Sequence, residues 1–238
     1  RQVLYKILPL ITSAERFPSG PSTKELEAYN EYLKGRALLR EPSTDSIIKA
    51  TKEHFRSAIG LDPAYAEAWA GLCEALLADY KHNNRSNYQI LQKGKAACEH
   101  ALGLTTSDTL QPSKSRVVSL EVYLAQGILY REEGDKSDEY EKYYDDSLEA
   151  LLQAEKLSPD SPRVLMELGA TYSSLAAKST DASNLDIAKD YIEKAELILL
   201  RVTQMDGGHW DSFQALANFY FDNGDFPQAI QFYEKAWE

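Results

Sequence analysis

The fold is decided by a segment in which one helix ends and the next begins: Asp62-Pro63-Ala64-Tyr65-Ala66-Glu67-Ala68-Trp69-Ala70-Gly71-Leu72-Cys73-Glu74-Ala75-Leu76. Pro63 has no backbone N–H and restricts the residue before it, so a helix that runs up to Leu61 must stop there. A new helix follows at once, because apolar residues recur from Trp69 to Leu76 at the spacing of one helix face. The segment therefore predicts the joint between two helical hairpins.

The composition fits a helical protein with a strong negative charge. The 238 residues include only nine prolines and twelve glycines, several of which stand where periodic segments end. The formal net charge of −11 disfavours direct contact with nucleic acid or anionic lipid. The longest apolar stretch, residues 3–11, contains Lys6 and Pro9 and is too short to span a bilayer. We expect an all-α protein with no direct nucleic-acid partner and no membrane contact from this chain.

Two regions can be distinguished along the chain. Residues 1–20 read as an amphipathic helix and a linker, which would fit the end of a preceding domain. Residues 21–238 alternate apolar-periodic segments with short polar, glycine or proline breaks, and the segments pair into about five hairpins. Within this second region we expect one helix to begin near Pro112 and a loop to cover residues 178–184.

The two cysteines, Cys73 and Cys98, are too few for a disulfide framework or a metal set. Both lie on apolar helix stripes, which favours two small buried core residues. Because they fall on the two helices of one predicted hairpin, a disulfide between them is the alternative. Such a bond would matter only in an oxidising compartment.

The hairpins resemble tetratricopeptide repeats, whose first helix carries a large residue, a leucine, a small residue and a tyrosine at fixed spacing. The last hairpin matches at nearly every position: Phe213, Leu216, Ala217, Tyr220, Gly224, Asp225, Ala229, Tyr233 and Ala236. Further copies are led by Trp69, Tyr123 and Leu165, and a degenerate one contains Gly35. The resemblance implies an α-solenoid, a right-handed superhelix of about five hairpins with small residues at the closest helix crossings. The copies lie farther apart than the family's usual spacing of about 34 residues, which predicts lengthened return helices.

A narrower resemblance covers residues 27–36 and 55–72, a run that includes Asp62 and Pro63. This run is similar to the repeat region of bacterial multidomain signalling proteins, among them winged-helix regulators, class III adenylate cyclases and serine/threonine kinases. In those proteins the repeats follow an effector domain. The resemblance implies that this chain is the repeat region of a larger regulator, and it does not identify the effector.

No set of residues predicts catalysis. The four histidines, His54, His82, His100 and His209, lie on different helices or loops and lack metal-ligand spacing. Tyr140 stands where a calcium loop over the preceding residues would need glycine. We therefore expect no enzymatic activity, no cofactor and no metal ion.

Function is instead expected on the concave face, which the first helix of each hairpin lines. The family's groove positions give these partner-binding candidates: Glu67, Ala70, Glu74, Leu77, Glu121, Leu124, Ile128, Arg131, Arg163, Met166, Ala170, Ser173, Asp211, Gln214, Asn218 and Phe221. Chaperone-tail binders of the family hold a terminal carboxylate with a lysine there, whereas this chain has residues such as Ala70 and Met166. A mixed apolar and acidic groove predicts an apolar or basic peptide, or a partner helix. The alternative is that the return helices or the chain's own first helix fill the groove.

The sequence thus predicts a non-catalytic scaffold that binds a peptide or protein partner, or self-associates into homo-oligomers, through its concave face. The alternative is a ligand- or peptide-sensing domain that controls an attached transcription factor, cyclase or kinase. The two hypotheses differ in the expected site, because a sensor requires an enclosed pocket and a scaffold an open groove. The sequence favours the cytoplasm, and the periplasm is the alternative if the parent protein is anchored in a membrane.

Overall fold

A computed structural model describes residues 23–83, 86–106, 119–181, 184–205 and 210–237. Over these ranges the chain forms ten α-helices and no β-strand, in agreement with the predicted all-α fold. They are α1 (Thr23–Leu38), α2 (Asp45–Leu61), α3 (Ala66–His82), α4 (Tyr88–Thr106), α5 (Leu120–Gly134), α6 (Tyr140–Leu157), α7 (Pro162–Asp181), α8 (Leu185–Met205), α9 (Trp210–Asp222) and α10 (Phe226–Trp237). The helix predicted within residues 1–20 and the helix start predicted near Pro112 lie outside the described residues.

The ten helices pair into five hairpins, α1–α2, α3–α4, α5–α6, α7–α8 and α9–α10. The return helices α2, α4, α6 and α8 have 17 to 21 residues against 12 in α10, which accounts for the wide spacing of the copies. None of the helices in this part of the chain has the apolar length that a bilayer crossing requires.

Helix ends follow from local signals in the sequence. Thr44 caps α2, because its hydroxyl accepts a hydrogen bond from the Ile47 N–H at 3.3 Å, and α2 ends before Pro63 as predicted. The turn of the last hairpin uses Gly224, whose φ of 78° suits glycine. The loop predicted over 178–184 starts later, since α7 continues to Asp181 and the Thr180 hydroxyl donates to a carbonyl of the same helix.

Small residues stand where the two helices of a hairpin cross most closely, as predicted. A methyl group added at Gly127 of α5 would lie 2.5 Å from Leu151 of α6, and one at Gly169 of α7 would lie 2.7 Å from Leu199 of α8. In the first hairpin a methyl group at Gly35 would lie 2.9 Å from Phe55 of α2. Because no side chain fits between these helices, glycine sets their separation.

Each hairpin also packs against the next. Phe55 is fully buried and reaches Gly71 of α3, where an added methyl group would lie 2.3 Å from its ring. The first helices of successive hairpins touch one another as well, including α3 with α5 and α5 with α7. One continuous core therefore runs from Ala28 of α1 to Val202 of α8, and a second cluster joins α8 to the last hairpin. This stacking is the architecture of a helical solenoid.

Two residues of the opening segment behave differently from the sequence expectation. Trp69 is only partly buried: its indole N–H donates to the Pro63 carbonyl at 2.9 Å, and its ring lies 4.2 Å from that of His100. It therefore covers the edge of the core rather than filling its centre. Cys73 and Cys98 are both buried, which agrees with the favoured interpretation as core residues. They also form a disulfide with each other, which was the alternative interpretation.

Candidate partner-binding site

The first helices of the hairpins, α1, α3, α5, α7 and α9, line one side of the solenoid, which we call the inner face. All sixteen predicted partner-binding residues lie on four of these helices, α3, α5, α7 and α9. Six of them are buried, namely Ala70, Glu74, Leu77, Leu124, Ile128 and Arg131. These six supply packing and ion pairs between hairpins rather than contact area for a partner.

An ion-pair network crosses the inner face at Glu74. The Glu74 carboxylate is 2% exposed and pairs with Arg36 of α1 at 3.4 Å and with Arg163 of α7 in closer contact. Burial, together with the positive charges of Arg36 and Arg40, lowers the pKa of Arg163 to about 9, so its guanidinium stays protonated at neutral pH. The first, second and fourth hairpins are thus joined by charge across the groove.

A second group of ion pairs lies beside the first. Arg131 of α5 contacts the Glu167 carboxylate of α7 at 2.6 Å and donates to the Glu167 carbonyl at 3.1 Å. Burial alone would raise the pKa of Glu167, but the Arg131, Lys81 and Arg163 charges hold it below its usual range. Lys81 of α3 also contacts Glu132 of α5 at 3.1 Å. Side chains of the first helices of the hairpins therefore occupy much of this part of the face. The chain's own first helix, the other filling that the sequence suggested, lies outside the described residues.

Sequence reasoning missed several members of this network. It carried no groove positions over to α1, because the first copy is degenerate. Yet Arg36 could have been found, since it follows Gly35 just as Glu74 follows Cys73 and Ile128 follows Gly127. Lys81, Glu132 and Glu167 lie outside the family's groove positions and carry no such signal in the sequence.

The other ten predicted residues remain partly or fully exposed. Glu67 and Glu121 are partly exposed near Tyr32, and Arg163, Met166, Ala170 and Ser173 are partly exposed on α7. The most accessible group lies on α9, where Gln214, Asn218 and Phe221 are exposed and Asp211 is partly so. Asn218 accepts a hydrogen bond from the Tyr233 hydroxyl at 2.6 Å, which ties α10 to this surface.

A pocket of about 380 Å³ adjoins the exposed part of α9. Its walls are residues 39–43, which follow α1, and Trp210, Asp211 and Gln214 of α9. The inner face therefore curves enough to bring the first hairpin next to the fifth. Two of the predicted partner-binding residues, Asp211 and Gln214, lie in this pocket.

Apolar side chains continue from α9 onto α10. Phe221 is 54% exposed and its ring meets that of Phe226 edge-on, with the centroids 5.5 Å apart. Ile230 and Trp237 of α10 are 58% and 90% exposed. We call Phe221, Phe226, Ile230 and Trp237 the terminal apolar surface. Large exposed apolar groups in one area are typical of interaction sites.

The described residues contain no group of three or more histidine, cysteine, aspartate or glutamate side chains that could hold a metal ion. His54 lies 2.7 Å from a Glu31 oxygen and His82 lies 3.1 Å from Asp45. His209 lies outside the described residues.

Comparison with known proteins agrees with this architecture. A thermophilic tetratricopeptide-repeat protein of Thermus thermophilus superposes with a TM-score of 0.58 at 19% identity, over 88% of this chain and 89% of that chain. A human IFIT1 dimer with m7Gppp-AAAA superposes with a TM-score of 0.63 at 17% identity, over 99% of this chain and 45% of that chain. At these identities the likeness concerns the fold alone. No curated protein sequence matches the chain.

Five stacked hairpins, three of them with glycine at the closest helix crossing, define a helical-repeat solenoid, the class of protein that this fold represents. The sequence model for the tetratricopeptide repeat matches residues 211–238, which include both helices of the last hairpin. The last hairpin thus matches the tetratricopeptide repeat, as its resemblance predicted, and the described fold as a whole is a helical-repeat solenoid. A scaffold that contacts other proteins is the general role that this fold suggests.

Proposed function

We propose that this chain is a non-catalytic scaffold that binds a protein partner through the accessible end of its inner face. The site comprises Gln214 and Asn218 together with the terminal apolar surface. The observation that carries the proposal is the continuity of these residues: exposed amides on α9 lead directly to exposed aromatic rings on α9 and α10. The buried ion pairs around Glu74 leave this end as the accessible part of the predicted groove.

The chemistry of the site favours a partner that presents an apolar helix with basic residues beside it. Aromatic rings at an interface act as anchors for apolar side chains, and a groove of this kind accepts an amphipathic helix. Asp222 and Asp225 are exposed next to Phe221 and Phe226, in a chain of net charge −11. A basic rim on the partner would complement these carboxylates. A second copy of the chain, which is acidic, fits less well.

The resemblance to bacterial regulators supports a role within a larger signalling protein, in which the repeats recruit a partner to an effector domain. The sensing alternative rests on a different observation, the Arg36, Glu74 and Arg163 network across the inner face. A charged ligand that competed for these groups would alter how the second and fourth hairpins are held together. Nucleic acid is disfavoured, because the net charge would repel a phosphate backbone.

The proposal is tested by two charge substitutions and a matched control. Phe221→Glu and Ile230→Glu each place a carboxylate on the terminal apolar surface. The control, Leu197→Glu, places a carboxylate on α8, outside that surface, at a side chain that is 72% exposed. Each purified variant is used as bait in lysate of the cells that make the protein, and captured proteins are quantified by mass spectrometry. We expect the Leu197→Glu variant to retain the partner, and the other two to lose it at least tenfold.

The proposal is wrong if all three variants capture the same proteins in the same amounts. Loss of capture that follows Glu74→Gln, with no effect of Phe221→Glu, would favour the sensing alternative. Circular dichroism of each variant shows that any loss does not reflect unfolding. Sedimentation of the unmodified chain reports self-association directly.

A further inference from the structure

The disulfide in the second hairpin stands where three other hairpins have a close contact between a glycine and a large side chain. In the first, third and fourth hairpins a glycine of the first helix meets a large residue of the return helix: Gly35 with Phe55, Gly127 with Leu151, and Gly169 with Leu199. Cys73 lies four residues after Trp69, just as Gly127 lies four after Tyr123. Cys98 lies three residues before Ala101, just as Leu151 lies three before Ala154. The bond therefore replaces the close helix crossing that glycine forms elsewhere.

Both sulfur-bearing residues are inaccessible in the folded chain. Cys73 is 0% exposed and Cys98 is 1% exposed, and both belong to the continuous core. A disulfide that exchanges during function needs a sulfur that an attacking thiolate can reach. The burial of this bond fits a structural role and excludes exchange without opening of the hairpin. The two cysteines are the only ones in the chain, so no third thiol of the chain can resolve the bond.

The bond also lies next to the ion-pair network of the inner face. Cys73 immediately precedes Glu74, the carboxylate that Arg36 and Arg163 share. A covalent link between α3 and α4 thus fixes the helix that presents Glu74 to the first and fourth hairpins. Closing a loop between residues 25 positions apart removes conformational freedom from the unfolded chain, which favours the folded state.

We propose that the Cys73–Cys98 disulfide is a permanent staple of the second hairpin and that the chain works in an oxidising compartment. In forming the bond, the two thiols release two protons and two electrons. The electrons pass, through thiol–disulfide exchange, to the disulfide of an oxidant in that compartment, which becomes a dithiol. Exchange takes place before the hairpin closes, because the folded chain shields both sulfur atoms. A reducing cytosol would keep both cysteines as free thiols.

The state of the cysteines is tested in the cells that make the protein. Acid quenching traps the thiols, and denatured protein is then treated with a maleimide-polyethylene glycol reagent that adds a gel shift for each free thiol. We expect no shift without prior reduction and a shift of two tags after it. A shift of two tags without prior reduction would overturn the assignment of an oxidising compartment.

The stabilising effect of the bond is tested by thermal unfolding of two forms of the purified chain. One form is oxidised, and the other has been reduced in denaturant and refolded in the presence of reductant. We expect reduction to lower the unfolding midpoint by about 5–10 °C, as for the loss of one such crosslink in a domain of this size. The Cys73→Ala, Cys98→Ala double variant is the control, and reductant should not change its midpoint. Equal midpoints for the oxidised and reduced chain would overturn the proposal. Neither test depends on the partner-binding site.

Discussion

The closest helix crossing of the third hairpin yields a sharp prediction for Gly127. A methyl group at this position would lie 2.5 Å from Cγ and 2.6 Å from Cδ2 of Leu151, a residue that is fully buried. Alanine at a helical glycine usually adds about 1 kcal/mol of stability. Overpacking of a buried site costs about 1–3 kcal/mol. We expect Gly127→Ala to lower the free energy of unfolding by up to about 2 kcal/mol, at the upper end of the difference between these two terms, because Cγ of Leu151 cannot move aside without shifting α6.

The same geometry predicts how the substitution interacts with Leu151. Leu151→Ala alone should cost about 2–5 kcal/mol, as expected for truncation of a buried leucine. In the double variant the added methyl group occupies space that the leucine vacates. The two effects should therefore fall short of additivity by about 1 kcal/mol or more. The assay is urea unfolding followed by circular dichroism at 222 nm.

The control for this prediction is alanine at Gly60 and at Gly103, two exposed helical glycines with no atom within 4 Å of an added methyl group. Both substitutions should leave stability unchanged or raise it by up to about 1 kcal/mol. The reasoning fails if Gly127→Ala behaves like these controls, or if the double variant loses the simple sum of the single losses. Either result would mean that α5 and α6 do not cross at Gly127.

Two further predictions concern charge. Glu74→Gln should lower the free energy of unfolding in urea by about 2 kcal/mol, because it leaves Arg36 and Arg163 facing each other across the groove. The control, Glu234→Gln on the exposed part of α10, should change it by almost nothing. Equal midpoints for the two variants would argue against the network. Burial raises the pKa of both Tyr32 and Tyr144 above the ordinary value of 10, and for Tyr144 the hydrogen bond to Asp135 adds to the effect. Since the folded pKa exceeds the unfolded one, stability should be full below about pH 10 and fall as the pH rises further. The stability of the Tyr144→Phe variant should fall less steeply between pH 9 and 11 than that of the unmodified chain. If the unfolding midpoint of the unmodified chain stays constant over this range, the assignment is wrong.

Much of the fold could be read from short stretches of sequence, because the signals involved act within a few residues. Pro63 ends α2, Gly224 makes the last turn, and Gly127 and Gly169 mark helix crossings by their spacing from Tyr123 and Leu165. Each of these signals depends on the local backbone or on one neighbouring helix. The number of hairpins and the location of the inner face on the first helices follow from them.

Which side chains the inner face exposes could not be predicted from local sequence signals. Glu74 was predicted as a partner-binding residue because of its place on the helix, yet it is buried by Arg36 and Arg163, which come from the first and fourth hairpins. Whether such side chains meet depends on the curvature of the solenoid, which is set by the packing angles between successive hairpins and by the lengths of the return helices. A small change at each step would move Arg163 away from Glu74.

The opening segment shows the same division. Its own residues determined that α2 ends at Leu61 and that Trp69, Cys73 and Leu76 share a helix, because proline geometry and helical periodicity are local properties. The tertiary structure alone decided that Cys73 is bonded to Cys98, that Trp69 covers the edge of the core, and that Glu74 faces two arginines. Those outcomes depend on groups brought together by the packing of whole helices, and no spacing within the segment encodes them.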